Sequence, residues 1–125
     1  MSEELSVKGL LVIDDDPAIS QIVGAVAEGL GFEVRTTERA DEFAEIYEEF
    51  QPGVVILDLV MPEVDGIELA QWLAHVKSPA RVTFLTGHNP RFTDAARALA
   101  DSGDLTSVTT LTKPVSIAVL RQALS

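Results

Sequence analysis

Gly9-Leu-Leu-Val-Ile-Asp-Asp-Asp-Pro17 passes without a break from an uncharged apolar run to three adjacent carboxylates and a proline. Short apolar runs of this kind form strands buried on both faces. Asp16 followed by Pro17 reads as a helix N-cap with proline at the first helical position. The stretch therefore predicts a buried strand that turns directly into a helix. Ile19, Ile22, Val23, Val26 and Leu30 continue the helix as an apolar stripe, and Gly31 is its expected stop.

The same unit recurs along the rest of the chain. Phe32–Thr36 is a second strand, and Phe43, Ile46, Tyr47 and Phe50 mark one face of a second helix that ends before Pro52. Val54-Val-Ile-Leu57 is a third buried strand and runs into Asp58, with Ile67, Ala70 and Leu73 on the helix after it. Arg81–Leu85 is a fourth strand, followed by a helix opening at Asn89-Pro90 and carrying Phe92, Ala95, Ala96 and Leu99. Val108–Leu111 is the fifth strand, and Ile117, Leu120 and Leu124 stripe the last helix. Strict alternation implies a parallel sheet with helices on both faces, because parallel strands need crossover connections. The fold class is α/β, a doubly wound five-stranded parallel sheet with five helices, in one domain over residues 1–125 with its core at about 9–124.

Composition narrows the function. The 125 residues carry 20 acidic and 9 basic side chains, a net charge of −11, which disfavours nucleic acid and anionic membrane surfaces as partners. The chain has no cysteine, which removes disulfides and thiolate metal sites and suits a cytoplasmic protein. No apolar run approaches the roughly 18 residues needed to cross a bilayer. Gly24, Gly29 and Gly31 form no phosphate loop, since no Lys-Ser/Thr follows them.

In doubly wound sheets ligands bind at the carboxyl ends of the strands, and the unusual polar residues fall there. Asp14 and Asp15 follow the first strand, Asp58 the third, Thr86 the fourth and Lys113 the fifth. An aspartate after a strand is more often a turn former than a ligand, and a single strand-end lysine is usually a solvated one. Gathered on one edge, the set instead matches phosphoryl transfer. Crowded carboxylates attract a hard divalent cation such as Mg²⁺, with Mn²⁺ the alternative. A carboxylate can itself attack phosphorus, and a lysine and a hydroxyl stabilise the charge on the phosphoryl oxygens. Asp58, alone on the central strand, is the candidate nucleophile.

Val12-Ile-Asp-Asp-Asp-Pro17, Asp58-Leu-Val-Met-Pro-Glu-Val-Asp-Gly66, Leu85-Thr86-Gly87 and Thr112-Lys113-Pro114 together resemble the response-regulator receiver family of two-component signalling, from about Leu10 to Leu124. The resemblance implies strand order 2-1-3-4-5 and a phosphoacceptor at Asp58. It implies metal contacts from Asp14, Asp15, Asp58 and the backbone carbonyl of Val60, and phosphoryl contacts from Thr86 and Lys113. It also implies a peptide bond before Pro114 that is often cis. The implied partners are a histidine kinase or histidine phosphotransfer protein upstream and an unnamed protein target downstream. The chain would be a phosphoacceptor that assists its own phosphorylation and dephosphorylation rather than an enzyme.

Two departures qualify the resemblance. Thr110 stands where the family usually has Tyr or Phe, and Ala100–Ser107 is longer than the usual connection. With no aromatic to swing inward, activation is expected to run through the loop at Thr86-Gly87-His88 and the helix after it. His88 borders the site and is a candidate modulator of water attack, although an exposed loop histidine is the more ordinary reading. Trp72 is expected in packing or at the surface, and His75 in a structural position. A receiver-like binding module that is never phosphorylated is one competing function. A phosphatase of haloacid-dehalogenase type is the other, but that family needs an acidic motif after its lysine, and none of the 12 residues beyond Lys113 is acidic. The sequence leaves open whether the domain stands alone or belongs to a longer chain.

Overall fold

The computed structural model describes residues 8–61, 64–87, 90–105 and 107–125, with the side chains of residues 60–61, 64–65 and 90–93 left aside. The principal strands are β1 (Lys8–Ile13), β2 (Phe32–Thr37), β3 (Val54–Asp58), β4 (Arg81–Thr86) and β5 (Ser107–Thr112). The helices are α1 (Pro17–Gly29), α2 (Ala40–Phe50), α3 (Gly66–His75), α4 (Pro90–Asp101) and α5 (Ile117–Leu124). All four strand pairings are parallel, in the order β2-β1-β3-β4-β5. The expected order therefore holds. An antiparallel ladder of Val60–Met61 with Val64–Asp65 is an addition that the sequence pattern did not signal.

Central position explains the unbroken apolar runs. β1 is flanked by β2 and β3, and β3 by β1 and β4, so both edges of each are paired, and the helix layers cover both faces. Leu10 through Ile13 and Val54 through Leu57 are all buried. Alternate residues feed two separate cores. Leu11, Ile13, Val55 and Leu57 join Phe43, Tyr47, Leu73 and Phe84 under α2, α3 and α4. Leu10, Val12, Val54 and Ile56 join Val23, Val26, Leu120 and Leu124 under α1 and α5. Trp72 meets Phe43 and Tyr47 edge-on, with ring centroids 6.2 and 5.5 Å apart, so its role is packing. The Tyr47 hydroxyl is hydrogen-bonded to the buried Ser78 hydroxyl.

Helix ends follow the local chemistry. The Asp16 side chain accepts from the Ala18 N–H at 2.9 Å and caps α1. Gly31, at φ 94°, takes the left-handed turn into β2. Three stripe assignments need correction. Ile22, Leu30 and Ile117 are 37%, 36% and 53% exposed. α1 is seated on Val23, Val26 and Ala27, a narrower face than the stripe implied, and α5 on Leu120 and Leu124, which leaves its first turn uncovered. His75, expected in a structural position on a helix, is the exposed last residue of α3. Within the expected connection 100–107, α4 continues to Asp101 and Leu105 is buried in the core. Asn89, His88 and Thr106 lie outside the described residues.

β3 is joined to α3 by the tightest contact of any glycine in the chain. A Cβ on Gly66 would lie 2.3 Å from the Asp58 carbonyl oxygen and 2.6 Å from the Leu59 Cα. Both are backbone atoms of the strand end that carries Asp58, so neither can rotate away. Gly66→Ala should therefore lower the urea unfolding free energy by about 1–3 kcal/mol, the usual cost of overpacking. An unchanged midpoint would show that the Asp58 peptide yields without strain.

Candidate functional site

Four strands deliver the site. β1 ends at Ile13, so Asp14 and Asp15 leave the sheet together, while β3 ends on Asp58 and β4 on Thr86. Lys113 follows β5, where its N–H donates to the Thr86 carbonyl at 2.7 Å and ties the two strand ends together. The Lys113–Pro114 bond is cis, as the resemblance implied. Asp14, Asp58 and Thr86 are buried to within 1% of full occlusion, whereas Asp15 is exposed.

The Lys113 ammonium bridges the two buried carboxylates. Its Nζ donates to Asp58 Oδ2 at 3.0 Å and lies 3.1 Å from Asp14 Oδ2. The second contact is an ion pair without hydrogen-bond alignment. Asp14 Oδ1 accepts from the Asp16 N–H at 2.8 Å, which fixes the carboxylate's orientation. Burial pushes the Asp14 carboxyl above its ordinary value, with the Asp58 charge adding to the rise; the Asp16 N–H and Lys113 pull it back only in part. For Lys113 burial works downward, but the hydrogen bond and charge of Asp58, with the charge of Asp14, leave the ammonium above its ordinary value.

Carboxylate oxygens of Asp14, Asp15 and Asp58 lie within 4.8 Å of one another, a spacing suited to a shared cation. The Thr86 hydroxyl oxygen is buried and has no hydrogen-bond partner among the described residues. A buried polar atom without a partner is uncommon and points to a ligand that supplies one. The residue set therefore fits a hard divalent cation and an oxygen-rich group beside it. Asp14, Asp15, Asp58 and Lys113 thus meet through their side chains, and Thr86 is tied to Lys113 through its backbone carbonyl. Val60 opens the short ladder opposite Asp65, two residues past Asp58. Thr110 lies on the edge strand, exposed, opposite the buried Phe84. His88 lies outside the described residues. Sequence reasoning passed over Gly66 as a site residue, although the quoted Asp65-Gly66 pair held the signal.

The bridge makes two stability predictions. Lys113→Met leaves two buried carboxylates facing each other without a cation and should cost about 3–5 kcal/mol in chelator. Millimolar Mg²⁺ should recover more stability in this variant than in the parent, as read by thermal melting; equal gains would show that Lys113 and the cation do not share a site. The second concerns pH. Because the folded Asp14 carboxyl titrates above its ordinary 3.8, the folded protein holds a proton that the unfolded chain has released between those two values. Asp14 therefore makes the chelated protein less stable as pH rises through that window. Asp14→Asn should flatten that slope and raise the neutral-pH midpoint, and a steeper slope in the variant would contradict the assignment.

A response regulator receiver domain family model matches residues 10–125. The tetrathionate response regulatory protein TtrR of Salmonella typhimurium is 34% identical over 113 residues, which make up 90% of this chain and 52% of that protein. The chain thus spans about half the length of that relative, and 42% of the transcriptional regulatory protein FixJ of Bradyrhizobium diazoefficiens, to which it is 33% identical over 85 residues. Among solved structures, a response regulator from Colwellia psychrerythraea is 31% identical with a TM-score of 0.80, covering 95% of this chain and 94% of that one. With the sheet order and the strand-end carboxylates already in place, these matches show that the chain belongs to the response regulator receiver domain family.

Proposed function

We propose that this domain accepts a phosphoryl group on Asp58 from a phosphohistidine and signals by protein contact. The observation that carries the reading is the buried Asp58 carboxylate at the end of β3, held by the Lys113 ammonium at 3.0 Å, with the buried, unpartnered Thr86 hydroxyl at the end of the neighbouring strand. In the transfer, an Asp58 oxygen bonds to phosphorus as the phosphorus–nitrogen bond to the donor imidazole breaks, and that nitrogen regains a proton. Asp14, Asp15 and Asp58, with the Val60 carbonyl, would hold a Mg²⁺ that offsets charge on the phosphoryl oxygens. Lys113 supplies a point charge to one phosphoryl oxygen, and the Thr86 hydroxyl gains in the phosphorylated state the hydrogen-bond acceptor it otherwise lacks. That gain is a difference between two states, which is what a phosphoryl group needs in order to shift the domain between conformations.

The donor in this reading is a histidine kinase or histidine phosphotransfer protein in the cytoplasm. No helix among the described residues is long and apolar enough to cross a membrane. Thr110 gives β5 no large ring to rotate inward, so the response is assigned to the Thr86-Gly87 end of β4 and the helix beyond it. Incubation with a small phosphodonor and Mg²⁺, followed by intact mass measurement, tests the reading. The parent should gain one phosphoryl group and Asp58→Asn none. An equal gain in the variant would place the acceptor elsewhere, and no gain in either would favour a receiver-like module that is not phosphorylated.

A further inference from the structure

We propose that the opposite, amino edge of the sheet carries a second binding site, for a small anion with an apolar body such as an aryl phosphate. A cleft of about 390 Å³ opens there, lined by Lys8, Phe32, Gln51, Gly53, Val54 and Arg81. Its volume falls within the usual range of small-molecule sites. Phe32 and Val54 are 8% and 4% exposed and form the apolar floor, while Lys8 and Arg81 stand exposed at its rim.

Charge selects the ligand class. The chain carries 20 acidic side chains against 9 basic ones, yet among the described residues two basic ones line this cleft and no acidic one does. Among the described residues Arg35, Arg39 and Lys113 are paired with carboxylates, whereas Lys8 and Arg81 are not. One nitrogen of the Arg81 guanidinium donates to the Ala123 carbonyl at 2.8 Å, which fixes the side chain and leaves its other N–H donors for an anion. The rim is held by backbone bonds, from Gly53 N–H to Gly9 O and from Arg81 N–H to Gly53 O, both 2.9 Å. Two cations over a preformed apolar floor suit a phosphate or carboxylate attached to a ring.

This cleft is separate from the strand-end carboxylates. Val54 opens β3 and Asp58 closes it, so the two lie about 13 Å apart along one strand. Occupancy therefore needs neither Mg²⁺ nor Asp58.

The test is an amide chemical-shift titration of the full chain with phenyl phosphate in chelator. Saturable shifts should centre on Gly9, Gly53, Val54 and Arg81. Lys8→Gln, which breaks no side-chain hydrogen bond among the described residues, should weaken binding at least tenfold, as should Arg81→Gln, while Arg121→Gln on α5 should leave it unchanged. Inorganic phosphate should bind at least tenfold more weakly than phenyl phosphate. Shifts centred on Thr86 and Lys113 would overturn the site, as would affinity unaffected by Lys8→Gln. Equal binding of the two phosphates would overturn the apolar part of the proposal.

Discussion

Two carboxylates buried side by side at the end of a parallel sheet are unfavourable unless a positive charge joins them, and in this protein the Lys113 ammonium does so. Taking charges out of water costs several kcal/mol per ion, and truncating one partner leaves that cost uncompensated. The rest of the site is arranged around this constraint. Asp14 and Asp58 must leave adjacent strands at the same level, which the pairing of Ile13 with Leu57 enforces. Lys113 must reach them across β4, and the bond from its N–H to the Thr86 carbonyl sets where it starts.

The ammonium and a divalent cation answer the same electrostatic need from different directions. Lys113 satisfies the carboxylates within the chain alone, while Asp15, exposed beside them, adds a third carboxylate within 4.8 Å, a set that could hold a harder and more highly charged ion. Under the proposed function a phosphoryl group on Asp58 would change the balance again, because its oxygens would take over the lysine and the cation together. A domain organised in this way holds its charges in a balance that one added group can shift, which is the physical requirement of a switch.

The two cores give that balance something rigid to act against. The central strands bury both faces, so their carboxyl ends are fixed relative to one another. The two elements on either side of Lys113 are held less deeply. β5 is an edge strand with no fully buried residue, and α5 rests on Leu120 and Leu124 alone among its buried positions. Thr110 belongs to this exposed edge. A small hydroxyl residue there has little to couple to the interior, in contrast to the buried Phe84 across the register.

Much of this was legible in the order of residues. Apolar runs at Gly9–Ile13 and Val54–Leu57 identify central strands because a strand covered on both faces cannot alternate, and the strand-end rule then brings Asp14, Asp15, Asp58, Thr86 and Lys113 to one edge. Local pattern also decides the Asp16 cap and the turn at Gly31, since both depend on neighbours in sequence. Periodicity misplaced Ile22, Leu30 and Ile117, because it states which face is apolar but not how wide a face the neighbouring layer covers. It also had no means of seeing the short ladder at Val60, the burial of Leu105 or the Gly66 contact with the Asp58 carbonyl. Which carboxylate Lys113 would meet, and that it would meet two, depended on register and depth of burial. These are distances between residues remote in sequence, and only the packed sheet determines them.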